Sequence, residues 1–188
     1  YTTPASAFAM DFSGYYKNRV FLASKSAIWA AGFNISNIGT KISYDGGNTK
    51  MFLPANLRLG TSFLYPINDK HTISLNLDLN KMLVPTPRIP KEGETPEEER
   101  KRIDNYFKTS SIAGIFKSFG DAPGGFKEEM QEITWSFGAE YLYNKQFALR
   151  TGYFHESKYK GNRQYHTGGA SFKMEAFKSG TFTSPSEK

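Results

Sequence analysis

The sequence predicts an all-β protein of antiparallel strands. Three observations predict it: apolar and polar residues alternate over Thr72 to Leu83, turn residues separate several such stretches, and aromatics make up 15% of the chain. Within that stretch Ile73, Leu75, Leu77, Leu79 and Leu83 share one face. Ser74, Asn76, Asp78 and Asn80 share the other, because successive side chains of a strand alternate. A helical period would scatter the leucines around a cylinder. In a soluble sandwich the apolar face looks into a core, whereas in a membrane barrel it looks at lipid and the polar face lines the lumen. Alternation is common to both.

The length, 188 residues, suits one domain. Phe 16 and Tyr 11 are high for an ordinary soluble domain and are what the interfacial girdles of a barrel require. Apolar residues reach only 38%, and no run approaches the roughly 18 consecutive apolar residues of a spanning helix, which excludes a helical membrane protein. The balance of 24 Lys and Arg against 18 Asp and Glu gives +6, but the basic residues are dispersed along loops and turns. That dispersal reads as solvated surface and argues against nucleic acid as a partner. With Cys 0 there are no disulfides and no thiolate metal sites, and no cofactor is expected. The chain opens at Tyr1 without a charged-then-apolar leader, which reads as a processed or partial chain.

Taken in order, Ala5 to Tyr16 is the first strand, with Phe8, Met10 and Phe12 on one face. Lys17 to Lys25 breaks the pattern. Ser26 to Asn37 resumes it, with Trp29, Ala31, Phe33 and Ile35 on the apolar side. Asp45-Gly46-Gly47-Asn48 is a turn, since these residues tolerate positive φ. From Asn56 to Tyr65, residues Leu57, Leu59, Thr61, Phe63 and Tyr65 face one way, and the tight turn at Ile67 to Lys70 leads into the leucine strand.

Met82 to Gln131 is too long for an ordinary loop, so it is functional or disordered. Its prolines extend Pro85 to Pro90. Thr95-Pro96-Glu97-Glu98 reads as N-cap, N1 proline and acidic first turn of a helix running to about Phe107. A second short helix covers Ser111 to Ser118, before a turn at Gly120 to Gly125. Ile133 to Tyr143 is the next strand, Asn144 to Gln146 turns it into Phe147 to Phe154, and Tyr165 to Met174 is the last. Beyond Ala176 the pattern fades.

Two features favour the membrane. Short turns at Ile67 to Lys70 and Asn144 to Gln146 alternate with long loops at Ile38 to Phe52, Met82 to Gln131 and His155 to Gln164. That is the asymmetry of periplasmic turns and extracellular loops in outer-membrane barrels. Tyr65, Tyr141, Tyr143, Phe147 and Tyr153 also concentrate near strand ends. Seven strands is an odd number, however, and bacterial single-chain barrels close with even numbers. Two unpaired edges in lipid are costly, so the stretch is expected to be part of a larger barrel.

Several phrases carry a resemblance. Phe33-Asn34-Ile35-Ser36-Asn37-Ile38-Gly39-Thr40-Lys41-Ile42-Ser43-Tyr44-Asp45-Gly46-Gly47, Leu83-Val84-Pro85-Thr86-Pro87, Ser110 to Phe116 with Ser118 to Gly125, and Glu132-Ile133-Thr134-Trp135 closely resemble the PorV (LptO) family. The likeness runs from about Ala7 to Met174. It implies an outer-membrane barrel of the Bacteroidetes type IX secretion system, FadL-like, with roughly fourteen strands of which this chain holds the C-terminal half. It further implies a non-enzymatic shuttle in the bacterial outer membrane, in contact with its lipid and lipopolysaccharide. Such a shuttle receives the C-terminal signal domain of cargo from the translocon barrel and passes it to a cell-surface sortase and attachment complex. The resemblance also implies two apolar strands past Met174, where Glu175 to Lys188 is mostly polar.

The long loop is the candidate partner surface. Ile112, Ile115, Phe116, Phe119 and Phe126 are apolar residues in a polar loop, with Asp121 and Pro123 in the turn between them. The bland reading is that they pack on each other or plug a barrel mouth. Gly120 to Gly125 lacks the following helix and lysine of a phosphate cradle and reads as a rigid turn. Asn56, Arg58, Asn76, Asp78, Asn80, Glu140 and Arg150 are expected to face the lumen. They would form either a hydrated, mutually paired interior or a path for an amphipathic molecule, as in a FadL-like channel for hydrophobic solutes. A lipopolysaccharide deacylase, recorded in the family's second name, would need a serine, a histidine and a carboxylate in contact. No nucleophile elbow is present, and His71, His155 and His166 are spread over both ends of the strands.

Overall fold

The computed structural model describes residues 4–46, 49–86 and 93–173. Seven strands form one antiparallel sheet in sequence order: β1 (Ala9–Leu22), β2 (Lys25–Gly39), β3 (Asn56–Pro66), β4 (His71–Met82), β5 (Thr134–Tyr143), β6 (Phe147–His155) and β7 (Gln164–Phe172). Three helices, α1 (Pro96–Lys108), α2 (Ser111–Lys117) and α3 (Phe126–Gln131), lie between β4 and β5. None of the described helices is long and apolar enough to cross a membrane, which says nothing about strands. The sheet is an open meander, and β1 and β7 each pair on one side only among the described residues. The expected tail beyond Met174 and the prolines at 87 and 90 lie outside the described residues, as do residues 47 and 48 of the expected turn.

Lys17 to Lys25 does not break the strand pattern. It completes β1 and turns directly into β2 at Ala23 and Ser24, whose φ values of 48° and 63° are those of a two-residue hairpin turn. Register then places Lys17, Arg19 and Phe21 on the polar face, opposite Ala30, Ile28 and Ser26. A second irregularity lies near the other end of this pair. Between the Phe12–Ile35 and Met10–Ile38 pairs, β2 spends three residues against two in β1. The bulge has Asn37 at φ 57°, with its N–H donating to Asp11 Oδ1 at 2.8 Å. Because of it Ile38 returns to the face of Ile35, and the apolar stripe stays on one side.

All the short turns, at 23–24, 67–70 and 144–146, fall at one end of the sheet, and the long connections, at 40–55, 83–133 and 156–163, fall at the other. One face carries Phe33, Leu59, Leu79 and Trp135 in one row across β2 to β5, with Thr61, Leu77 and Phe137 in the next. A closed core is missing from this face among the described residues. Leu59, Leu75, Leu77, Phe137 and Leu149 are all exposed, while the buried apolar residues are Leu83 and five alanines. In a soluble sandwich a second layer would cover these side chains.

Candidate functional site

The apolar face pairs several of its polar atoms within the sheet. Trp29 Nε1 donates to Thr61 Oγ1 at 3.0 Å, and that hydroxyl donates to the Ala30 carbonyl at 3.0 Å. Thr151 Oγ1 donates to the Thr167 carbonyl, and the Tyr153 hydroxyl donates to Gln164 Oε1, each at 3.2 Å. Water would satisfy such groups on a wet surface; internal pairing is what a surface facing away from water requires. The rings gather at two levels. Near the short turns, His71 bonds the Tyr141 hydroxyl and lies 5.0 Å from Tyr143, and Tyr16 and Trp29 meet at 5.7 Å. Near the long loops, Trp135 stacks on His155 at 5.1 Å, and Tyr153 meets His166 at 4.7 Å. All three histidines therefore belong to aromatic clusters, and no group of His, Cys, Asp or Glu among the described residues could hold a metal.

The opposite face brings together Asn56, Arg58, Asn76, Asp78, Asn80, Glu140 and Arg150. Asn56 and Asn80 share an amide hydrogen bond of 2.7 Å, and Arg150 bridges Glu140 and Ser171. Directly opposed glycines, Gly32 with Gly60 and Gly138 with Gly152, thin the wall between these residues. Three recesses of about 490, 970 and 230 Å³ open on this face, and Asp78 lines all of them.

At the long-loop end the helices form a platform with its own small core. Thr95 and Glu98 make the expected reciprocal cap of α1, with Glu98 accepting from the Thr95 N–H at 2.8 Å. At its other end Lys41, its ammonium 4.0 Å from the Phe52 ring centre, donates to the Phe107 carbonyl at 2.9 Å. Burial, followed by nearby Lys50, lowers the Lys41 pKa. α2 presses its Gly114 onto Phe52 and Pro85, where an added Cβ would lie 2.8 Å from the Phe52 ring.

The third helix was not legible in the sequence, yet it organises the glycine-rich turn. Glu129 accepts from the Ala122 N–H and Glu128 from the Gly124 N–H, each at 2.7 Å. Lys81, 6% exposed, reaches Glu129 at 2.9 Å and Glu132 at 2.7 Å, and Lys160 of the β6–β7 loop reaches Glu128 and Glu132 at 3.0 Å each. Two lysines thus tie the end of β4, α3 and the last loop together. Burial opposes ionisation of Glu129, but its hydrogen bonds from Ala122 and Lys81 outweigh that and hold its pKa down. The Gly124 N–H, then Lys160, lower that of Glu128. Burial likewise works against charge on Lys160, and its bonds to Glu128 and Glu132 override it to raise the pKa. With the Ala122 and Gly124 N–H groups bound to these carboxylates, the turn does not present them to an anion.

Of the loop residues singled out in the sequence, Asp121 is committed inward. Its carboxylate accepts from the Thr86 N–H at 2.8 Å and the Thr86 hydroxyl at 3.0 Å. Ile115 is half-buried and Pro123 exposed. Ile112 (63% exposed) and Phe116 (73%) sit one turn apart on α2, followed by Phe119, while Phe126 (81%) and Met130 repeat that spacing on α3. Met130 escaped sequence reasoning because its partner spacing has meaning only once α3 is known to be a helix.

A sequence comparison matches residues 1–89 to the family model described as type IX secretion system protein PorV. Over that part the chain is similar to the PorV family. No curated protein sequence matches it. The matched part covers β1 to β4, and β5 to β7 extend the same sheet in sequence order without a crossover.

Proposed function

We propose that this chain is part of an outer-membrane β-barrel that shuttles type IX cargo, capturing the C-terminal signal domain at the cell surface and handing it from the translocon to the sortase and attachment complex. In this reading the apolar face contacts lipid, the polar face lines a hydrated lumen, and the short turns lie on the periplasmic side. The spacing of the aromatic levels supports it. From Trp135 to Tyr143 the strand takes eight steps, roughly 26 Å at about 3.3 Å each. At a strand tilt of about 40° this spans roughly 20 Å, close to the apolar band of about 25 Å in such barrels.

The observation that carries the shuttle reading is the exposed set Ile112, Phe116, Phe119 and Phe126, displayed on a platform that lysine–carboxylate pairs fix to the long-loop end of the sheet. Exposed aromatic and aliphatic anchors on a rigid support are what a partner domain buries. Replacing Ile112 and Phe116 with aspartate is expected to abolish co-purification of a cargo signal domain while leaving membrane insertion intact. Deleting 111–126 should do the same. If cargo still co-purifies with both variants, the platform is the wrong site. The polar face gives a hydrophobic-solute channel less support, since Asn76, Asp78 and Arg58 line its recesses.

A further inference from the structure

The polar face holds a second feature, independent of what docks on the loops. Six charged side chains line its recesses: Arg58, Asp78, Glu132, Glu156, Lys160 and Arg163. Four of them are consumed internally. Lys160 pairs with Glu132, and Arg163 grips Glu156 through two hydrogen bonds of 2.8 Å. Arg58 and Asp78 remain, and neither makes a hydrogen bond or ion pair with another described residue. They sit one diagonal step apart, since Asp78 pairs with Gly60 and Arg58 with Asn80. Side chains so placed, roughly 7–8 Å apart at the backbone, ordinarily reach one another when one is as long as arginine. Here the Asp78 carboxylate lies over Gly60 instead, where an added Cβ would come 2.7 Å from Oδ1. The two largest recesses, about 490 and 970 Å³, meet at this pair.

We propose that Arg58 and Asp78 form the floor of a binding site for a small zwitterion of the α-amino-acid class, with the ligand carboxylate on Arg58 and its ammonium on Asp78. A guanidinium presents a planar fork that matches a carboxylate, and an ionised aspartate accepts from an ammonium. The floor carries one charge of each sign, so a lone anion or cation meets one favourable and one unfavourable neighbour. A ligand with both charges a few ångströms apart satisfies each. The glycines leave room above the backbone, and Tyr15, with Ala30, lies along the smaller recess to receive an apolar side chain.

Titration calorimetry on the detergent-solubilised protein tests this with three probes of one carbon skeleton: L-leucine, 4-methylpentanoate without the ammonium, and 3-methylbutylamine without the carboxylate. Leucine is expected to bind at least tenfold more tightly than either relative. Arg58→Gln should reduce leucine to the level of the amine, and Asp78→Asn should reduce it to the level of the acid. The comparison of the three probes on the unaltered protein stands even where a variant folds poorly. Equal binding of the three, no leucine binding at millimolar concentration, or a leucine preference that survives both substitutions would overturn the assignment.

Discussion

Trp29 and Thr61 illustrate what single residues contribute. Both lie on the apolar face, and each polar atom they carry is satisfied within the sheet. Thr61→Val keeps the shape but removes the acceptor of the indole N–H, and is expected to cost about 1–3 kcal/mol. Thr61→Ser should be close to neutral, and the two are compared by urea unfolding followed as a gel-mobility change. The carboxylates of the platform give a second prediction. Glu128 and Glu129 have pKa values held below the ordinary range, so their contribution is present above the unfolded value of about 4.3 and is lost as pH falls through the lowered one. Lys160 is shifted up, so its share is present below about 10.4 and is lost only as pH rises through its raised value. The Ala122 and Gly124 amide resonances should therefore hold steady from roughly pH 5 to 10 and move only on acidification below the unfolded carboxylate value of about 4.3. Movement that sets in above the unfolded value of about 4.3 would contradict the carboxylate clamp. None of these partnerships was visible in the sequence, because Lys81 and Glu129 meet across a separation that only the fold closes.

Elements were legible where local chemistry agrees with the final contacts. Thr95-Pro96 and Glu98 mark α1 because cap, proline and acidic turn all act within one turn of helix. The leucine strand was legible because apolar and polar residues alternate along it without interruption from Ile73 to Asn80. The β1–β2 hairpin was not, since Ala23 and Ser24 lack the Asn-Gly chemistry that usually signals positive φ, and Lys17 and Arg19 disguise a polar-facing row as a loop. α3 was hidden for a related reason: six residues after Gly125 with no side-chain cap depend on Lys81 and Lys160 for their place. Lys160→Met removes the tie to the β6–β7 loop. It should increase amide exchange over 120–132 severalfold and weaken cargo capture while leaving strand amides unchanged. Unaltered exchange there would mean that Lys81 holds α3 without help.

At the scale of the whole molecule, the proposed barrel has the two faces of the sheet answer to different solvents. An arginine at Leu77 would stand in the apolar row, at a cost of about 2–4 kcal/mol if that row lies near a bilayer midplane. The same residue at neighbouring Asn76 would stand among polar groups and should be tolerated, a contrast read from the yield of membrane-inserted protein. The open edges of β1 and β7 follow the same logic, since lipid cannot satisfy their backbone groups and the barrel reading requires strands that pair with them. Alternation in the sequence showed that two faces exist. It could not show which one is covered, because a sandwich and a barrel bury the same pattern against different materials.

The absence of cysteine makes the deciding measurement free of background. Single cysteines placed in turn from Ile73 to Asn80 in the membrane-inserted protein can carry a nitroxide, whose collisions with oxygen and with a water-soluble nickel chelate are then recorded. Residues 73, 75, 77 and 79 should favour oxygen, and residues 74, 76, 78 and 80 should favour the chelate. If the leucine positions were shielded from both, as side chains enclosed in a protein interior are, the lipid-facing assignment and the secretion mechanism built on it would be contradicted.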